Sequence, residues 1–183
     1  MTSPRNGAKI SFSPDSLAVN NPAIKVLVAL AFLALGVFAA VLARPAAQAP
    51  EARFITLSGE TFTTSDLRGK VTVVNFWATW CPDCMREMPR MIEAHRRFSP
   101  RGYETVAVAV KDHPNRVADY AQKAHLPFKV ALDTTDEVAR RFGNIHITPT
   151  TFVIDKNGRV VRRFVGEPDW REFDRVVEKA LAG

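Results

Sequence analysis

Cys81 and Cys84 are the only cysteines in the 183-residue chain, and Pro82 and Asp83 separate them. This spacing suits reversible thiol–disulfide exchange, half of a zinc site or a structural crosslink. A zinc site would need two further ligands, and the sequence offers no third cysteine. A crosslink across so short a loop would constrain the unfolded chain little. The pair therefore favours redox exchange.

The cysteine pair lies where a strand is predicted to end and a helix to begin. Residues 71–77 are apolar and β-branched, as in a buried strand, and residues 85–98 carry apolar side chains at helical spacing. Pro82 suits the first helical position. A thiol at a helix N-terminus ionises more easily, so Cys81 is the predicted nucleophile. Cys84, one turn further along, is placed to resolve a mixed disulfide.

Two segments resemble one known family. Residues 76–84, followed by Glu87 and Pro89, resemble the TlpA/ResA-like branch of the thioredoxin superfamily. Residues 147–158 resemble the same family's cis-proline loop with the next strand and turn. The resemblance covers roughly residues 51–183, and the two motifs occur in the family's order and separation.

The resemblance implies a thiol–disulfide oxidoreductase without a cofactor, in which a glutamate on the helix after the cysteines handles protons. Glu87 would take that role, because Asn75 stands where many relatives carry an aspartate and an amide cannot titrate. It also implies that Pro149 is cis. Four residues are then expected to contact the client: Trp80, Pro82, Thr148 and Pro149.

Asp83 bears on the direction of electron flow. Its carboxylate opposes a second anion on Cys81 and should raise the thiol pKa, and no histidine or lysine lies between the cysteines to lower it. A less stabilised thiolate lowers the reduction potential. The sequence therefore predicts a reductant.

The N-terminal part of the chain predicts a membrane anchor. Residues 1–25 are polar, with Arg5, Lys9 and Lys25 against one acid, Asp15. Residues 26–43 form an uncharged, largely apolar run of about the minimum length for a span. The basic side precedes the run, so residues 1–25 would be a cytoplasmic tail and the remainder would cross. A cleaved signal peptide is the alternative, since residues 47–49 have cleavage-like small residues. Residues 44–50, rich in Ala and Pro, would be a linker.

Residues 51–183 alternate strand and helix patterns, which predicts one α/β domain. We expect a thioredoxin fold with an N-terminal β-hairpin and a central βα insertion, preceded by one transmembrane helix. Thr135 or Asp136 is predicted to cap a short helix that reaches Phe142 and ends at Gly143.

Charge excludes one class of partner. The formal net charge is +6, and removing residues 1–43 leaves +4, without a basic stripe interleaved with aromatics that would indicate nucleic-acid binding.

The expected partners are client protein disulfides and a membrane electron-transfer protein that re-reduces the pair. The expected location is the inner membrane, single-pass, with the catalytic domain in the periplasm. Cytochrome c maturation or oxidase assembly would supply the clients.

Two alternatives from other classes remain open. Cys81, Cys84 and His146 could bind Cu(I) in a copper-binding assembly protein, because thiolate and imidazole ligands suit that ion. Thr79, two residues before Cys81, raises a peroxide reductase as a third possibility.

Overall fold

The computed structural model describes residues 22–42, with side chains as far as residue 38, and residues 47–183. The chain divides into two units, Met1–Pro45 and Ala46–Gly183. The predicted tail and linker lie largely outside the described residues.

The described part of the first unit is a single helix, α1 (Pro22–Leu42), whose apolar side chains are exposed as far as Phe38. In the ranges that the structure describes, no helix combines the length and the apolar character needed to cross a bilayer. The predicted span, residues 26–43, extends beyond those ranges. The transmembrane prediction is therefore not confirmed and stays a prediction.

The second unit is built on a five-stranded sheet. Its elements follow the predicted order: β1 (Arg53–Ile55), β2 (Thr61–Thr63), β3 (Val71–Trp77), α2 (Pro82–Phe98), β4 (Tyr103–Val110), α3 (Pro114–Lys123), β5 (Lys129–Asp133), α4 (Glu137–Arg141), β6 (Thr150–Ile154), β7 (Val160–Val165) and α5 (Trp170–Ala182). Strands β1 and β2 pair as the predicted antiparallel hairpin. The sheet order is β5-β4-β3-β6-β7, so the strand before the cysteines lies at its centre.

Strand β3 is buried along its whole length because both faces of the sheet are covered. Val71, Val73 and Trp77 face a core that includes residues of α2 and α5, whereas Val74 and Phe76 face a core that includes α4 and the β1–β2 hairpin. Strand β4 runs parallel to β3 and β6 antiparallel to it. The central position holds the end of β3, and hence the start of α2, in a fixed place.

The start of α4 differs from the prediction. Asp136 occupies the N-cap position, with its backbone in the left-handed region at φ 57°, but its side chain forms no capping hydrogen bond. The predicted cap by Thr135 or Asp136 is therefore wrong. The buried Asp133 instead accepts a hydrogen bond at Oδ2 from the Ala139 backbone N–H at 2.8 Å. A carboxylate at the end of β5 thus provides the bond that a local cap was expected to provide, while Gly143 follows the helix at φ 92° as expected.

Candidate active site

Helix α2 begins at the first cysteine. Cys81 is the N-cap residue in extended conformation, and its Sγ accepts a hydrogen bond from the Cys84 backbone N–H at 3.2 Å. Pro82 occupies the first turn, where its missing N–H is not needed. The sulfur therefore takes the place of a capping oxygen, where free N–H groups and the helix dipole stabilise a negative charge.

The two cysteines form a disulfide with their Cα atoms 5.3 Å apart. Cys84 is fully buried, whereas Cys81 retains 4 % exposure. Of the two sulfurs, Cys81 is the one that a client disulfide can reach.

The loop before β6 closes over the disulfide. The Thr148–Pro149 peptide bond is cis, as the resemblance implied. The Thr148 carbonyl oxygen lies 3.5 Å from Cys81 Sγ. Thr148 and Pro149, two predicted site residues, are thereby brought against the cysteines, although Thr148 lies 67 positions from Cys81 in the sequence.

Glu87 lies on the buried face of α2, one turn beyond Cys84. Its Oε1 accepts a hydrogen bond from Asn75 Nδ2 at 2.8 Å, and the same amide donates to Thr151 Oγ1 at 2.9 Å. Burial raises the pKa of Glu87 to about 8, against the opposing effect of the Asn75 bond. At neutral pH the carboxyl group is therefore protonated, and it can release or accept a proton within the range where thiols titrate.

The two tryptophans have different environments. Trp77 is fully buried and its ring centroid lies 5.4 Å from that of Tyr120, so it belongs to the core as predicted. Trp80 is 54 % exposed, and its Nε1 donates to the Lys111 carbonyl at 3.0 Å. Trp80 thus presents an apolar surface immediately before the attacking cysteine.

Asp83 is not an isolated charge, because an arginine one turn further along α2 pairs with it. Arg86 NH2 lies 2.7 Å from Asp83 Oδ1, and Arg86 Nε lies 3.4 Å from Glu167 Oε2. The arginine, which Asp83 shares with Glu167, offsets part of the negative charge near Cys81. The predicted effect of Asp83 on the thiol pKa is therefore smaller than the isolated carboxylate implied.

Asp112 is a residue of this site that sequence reasoning missed. It follows β4, and its Oδ2 accepts hydrogen bonds from Thr79 in the loop before Cys81. The signal was available: adjacent parallel strands end at the same edge of a sheet, so a polar residue two positions after β4 is expected near one two positions after β3.

In the oxidised form, the ligand set of the copper alternative is not assembled. Cys81 and Cys84 are bonded to each other, and His146 is exposed beside Lys111 and Arg140. Among the residues that the structure describes, no group of three or more His, Cys, Asp or Glu side chains is arranged to hold a metal ion.

The peroxide alternative depended on Thr79. Its hydroxyl donates a hydrogen bond to Asp112 Oδ2 at 2.6 Å, so the hydroxyl proton is already bound to a carboxylate that follows β4. No observation favours peroxide chemistry over disulfide exchange.

A thioredoxin-like α/β fold with a Cys-x-x-Cys disulfide at the tip of a helix, closed by a cis-proline loop, defines a thiol–disulfide oxidoreductase.

Comparison with known proteins agrees with this class. The Redoxin family model matches residues 44–181. The thiol-disulfide oxidoreductase ResA of Bacillus thuringiensis subsp. konkukian is 32% identical over 132 residues, covering 72% of this chain and 76% of that protein.

ResA of Geobacillus kaustophilus is 37% identical over 130 residues, covering 71% of this chain and 74% of that protein. The crystal structure of a thioredoxin-family thiol:disulfide interchange protein from Chlorobium tepidum TLS superposes with a TM-score of 0.69 at 37% identity, covering 76% of this chain and 98% of that chain. The chain therefore belongs to the Redoxin family and, within the thioredoxin superfamily, to its TlpA/ResA-like branch.

Proposed function

We propose that this oxidoreductase is a membrane-anchored, extracytoplasmic reductant of client protein disulfides. The observation that carries the proposal is Cys81 at the N-cap of α2, bonded to a buried Cys84 and lying against Thr148 beside cis-Pro149. This arrangement offers one accessible sulfur for attack and one protected sulfur for resolution.

The reaction begins with the reduced pair. The Cys81 thiolate attacks one sulfur of the client disulfide; a Cys81–client disulfide forms, and the other client sulfur leaves as a thiolate that takes up a proton. Cys84 then attacks Cys81 Sγ, releasing the second client thiol and leaving the Cys81–Cys84 disulfide. Two electrons pass to the client. Glu87 lies one turn from Cys84, and its ionised form, which becomes abundant as the pH approaches its pKa of about 8, accepts the Cys84 proton as that thiol becomes a nucleophile.

The client chain is proposed to bind as an added strand. Thr148 offers backbone groups beside Cys81, and an extended segment that pairs with them would bring its disulfide to the sulfur. Trp80, Pro82 and Pro149 would form the apolar contacts around it. Family resemblance supports clients of the cytochrome c maturation or oxidase assembly type, and a membrane electron-transfer protein as the donor that re-reduces the pair.

The reducing direction is tested by the reduction potential. The purified full chain, equilibrated with glutathione buffers, should show a potential on the reducing side of about −200 mV. The absence of a basic residue between the cysteines supports this direction. A potential near the strongly oxidising value of about −120 mV would instead identify a disulfide donor.

The location is tested separately. Residues 26–43 support a membrane anchor through their apolar composition, and the basic residues before them support an extracytoplasmic domain. The full chain should stay in the membrane pellet after alkaline carbonate extraction, whereas a chain without residues 1–43 should be released. Protease added to intact spheroplasts should degrade the domain; protection until the cells are lysed would place it in the cytoplasm.

A further inference from the structure

The carboxyl end of β4 holds the loop that carries Cys81. Thr79 donates two hydrogen bonds to one oxygen of Asp112: its backbone N–H and its Oγ1 both lie 2.6 Å from Oδ2. The two residues are 33 positions apart in the sequence, so the contact joins separate parts of the fold.

The other oxygen of the same carboxylate is also engaged. Asp112 Oδ1 accepts from the His113 backbone N–H at 2.7 Å and from Arg116 Nε at 3.1 Å. The side chain has no solvent-exposed area. Burial by itself would raise the pKa of Asp112, but the bonds from Thr79, His113 and Arg116 outweigh it and hold the pKa below its usual value. The group is therefore a buried, fully bonded carboxylate.

The neighbouring backbone holds the next residue of the loop. Trp80 Nε1 donates to the Lys111 carbonyl at 3.0 Å, and Lys111 adopts a left-handed conformation with φ 51°. The Cys81 N–H in turn donates to the Ala78 carbonyl at 3.2 Å. Both residues that directly precede the attacking sulfur are thus fixed from the end of β4.

We propose that Asp112 is a positioning residue for disulfide exchange: it fixes residues 78–80 so that Cys81 Sγ stays at the N-cap of α2 beside Trp80. Asp112 does not contact the reacting sulfur; it acts through Thr79. A reacting group that must meet a client disulfide in line gains rate from such support, since small displacements of catalytic groups are costly. The proposal rests on the proposed role of Cys81 as the attacking thiol.

The chain contains a matched control for the hydrogen bonds. Asp66 Oδ2 accepts from the Thr63 backbone N–H at 2.8 Å and from Thr63 Oγ1 at 2.9 Å, the same pair of bonds as in Asp112 and Thr79. Asp66 lies in the turn after β2, among elements that contribute no predicted site residue. Asp66→Ala therefore removes a carboxylate that makes the same two threonine bonds, although an exposed one, without touching the loop.

The experiment measures how fast the reduced full chain attacks a small aromatic disulfide, as a function of pH, for Asp112→Ala, Asp112→Asn, Thr79→Val and Asp66→Ala. We expect Asp112→Ala to slow the reaction by about tenfold. Asp112→Asn keeps an oxygen for Thr79 and should recover most of that loss. Thr79→Val, which loses only the hydroxyl, should slow exchange by about threefold, with little further loss when combined with Asp112→Ala. Asp66→Ala should match the wild type.

The outcomes separate positioning from other roles. Equal rates for wild type and Asp112→Ala would overturn the proposal, and so would equal slowing by Asp66→Ala, which would indicate general destabilisation. A common acceleration in Asp112→Ala and Asp112→Asn, with a lowered pH midpoint, would show that only the charge matters. If Asp112→Ala does not fold, Thr79→Val still decides, because a rate equal to that of the wild type would contradict action through Thr79. Failure of the wild type to react would instead contradict the proposed function.

Discussion

Glu87 combines full burial with a titratable group, and its neighbours explain how the chain tolerates this. Asn75 donates to one carboxyl oxygen, and neither Glu87 Oε2 nor Asn75 Oδ1 has a hydrogen-bond partner among the described residues. A neutral carboxyl group costs less to bury than a carboxylate. The chain therefore holds a proton, rather than a charge, one turn from Cys84.

This proton makes stability depend on pH. The pKa of Glu87 rises from 4.5 to about 8 on folding, so between those values the folded chain binds a proton that the unfolded chain has lost. The free energy of unfolding should fall by up to about 1.4 kcal/mol per pH unit across this window. Glu87→Gln should remove that slope and stabilise the protein above neutral pH, as measured by urea unfolding at several pH values.

Glu93→Gln is the matched control on the same helix, because Glu93 is exposed and paired with Arg90. In Glu93→Gln, the free energy of unfolding should depend on pH as steeply as it does in the wild type. An equally steep slope in Glu87→Gln would show that the buried proton lies elsewhere. In exchange assays, Glu87→Gln should also lose the rate change near pH 8 if the group receives the Cys84 proton.

Residue types and spacing were enough to place Cys81, Cys84 and Glu87 at the start of one helix, whereas Thr148 and Pro149 were expected beside them only from the family resemblance. Partners across the fold were not predictable in the same way. Arg86 meets Glu167 and Asp112 meets Thr79 through the packing of separate elements. No local periodicity encodes which surface arginine or strand-end aspartate will contact a loop.

At the level of elements, the start of α2 sets the electrostatics of Cys81. The helix N-terminus favours the thiolate, Asp83 opposes it, and Arg86 offsets Asp83. The balance of these effects, rather than Asp83 alone, determines the thiol pKa.

Arg86→Ala should therefore raise the thiol pKa of Cys81, because it leaves Asp83 unopposed, and Asp83→Asn should lower it. Each shift should be well below one pKa unit, since both side chains are largely exposed. The ultraviolet absorbance of the thiolate, titrated in the reduced full chain, measures both. Opposite signs for the two variants are required; shifts of the same sign would contradict the pairing.

Helix α4 shows where element prediction stops. Its apolar positions and the following Gly143 were visible in the sequence, and the helix ends where expected. Its N-terminal hydrogen bond comes from Asp133, six residues before Ala139, instead of from an adjacent side chain. A local capping rule cannot find a donor–acceptor pair that the preceding strand sets up.

Asp133→Ala should lower the free energy of unfolding by about 1–2 kcal/mol, because it removes the oxygen that caps α4 and leaves the Ala139 N–H buried without that partner. Thr135→Ala, which changes the residue predicted as the cap, should cost much less. Chemical denaturation compares the two. A larger loss of stability for Thr135→Ala than for Asp133→Ala would mean that Thr135, and not Asp133, caps α4.

At the scale of the whole molecule, two motifs in the right order were sufficient to predict the thioredoxin-like domain and its N-terminal hairpin. The inserted α3 and β5 were also visible as patterns, although the place of β5 at the sheet edge depends on its pairing with β4. The sheet and its two covering layers hold the site in place, so the fold should not depend on the disulfide.

Reduction of Cys81–Cys84 should thus leave the native fold intact and lower the free energy of unfolding by no more than about 2 kcal/mol, as expected for so short a loop. Urea unfolding with and without a reductant tests this. Loss of the folded state on reduction would mean that the disulfide is a structural crosslink.

The most direct test of the dithiol mechanism is to trap its intermediate. The full chain carrying Cys84→Ser, reduced and mixed with a disulfide-containing client, should form a covalent complex through Cys81 that a reductant releases, because the resolving thiol is gone. Cys81→Ser should form none. An equal yield of complex from both variants, or none from either while the fold is retained, would contradict the assignment of Cys81 as the attacking sulfur.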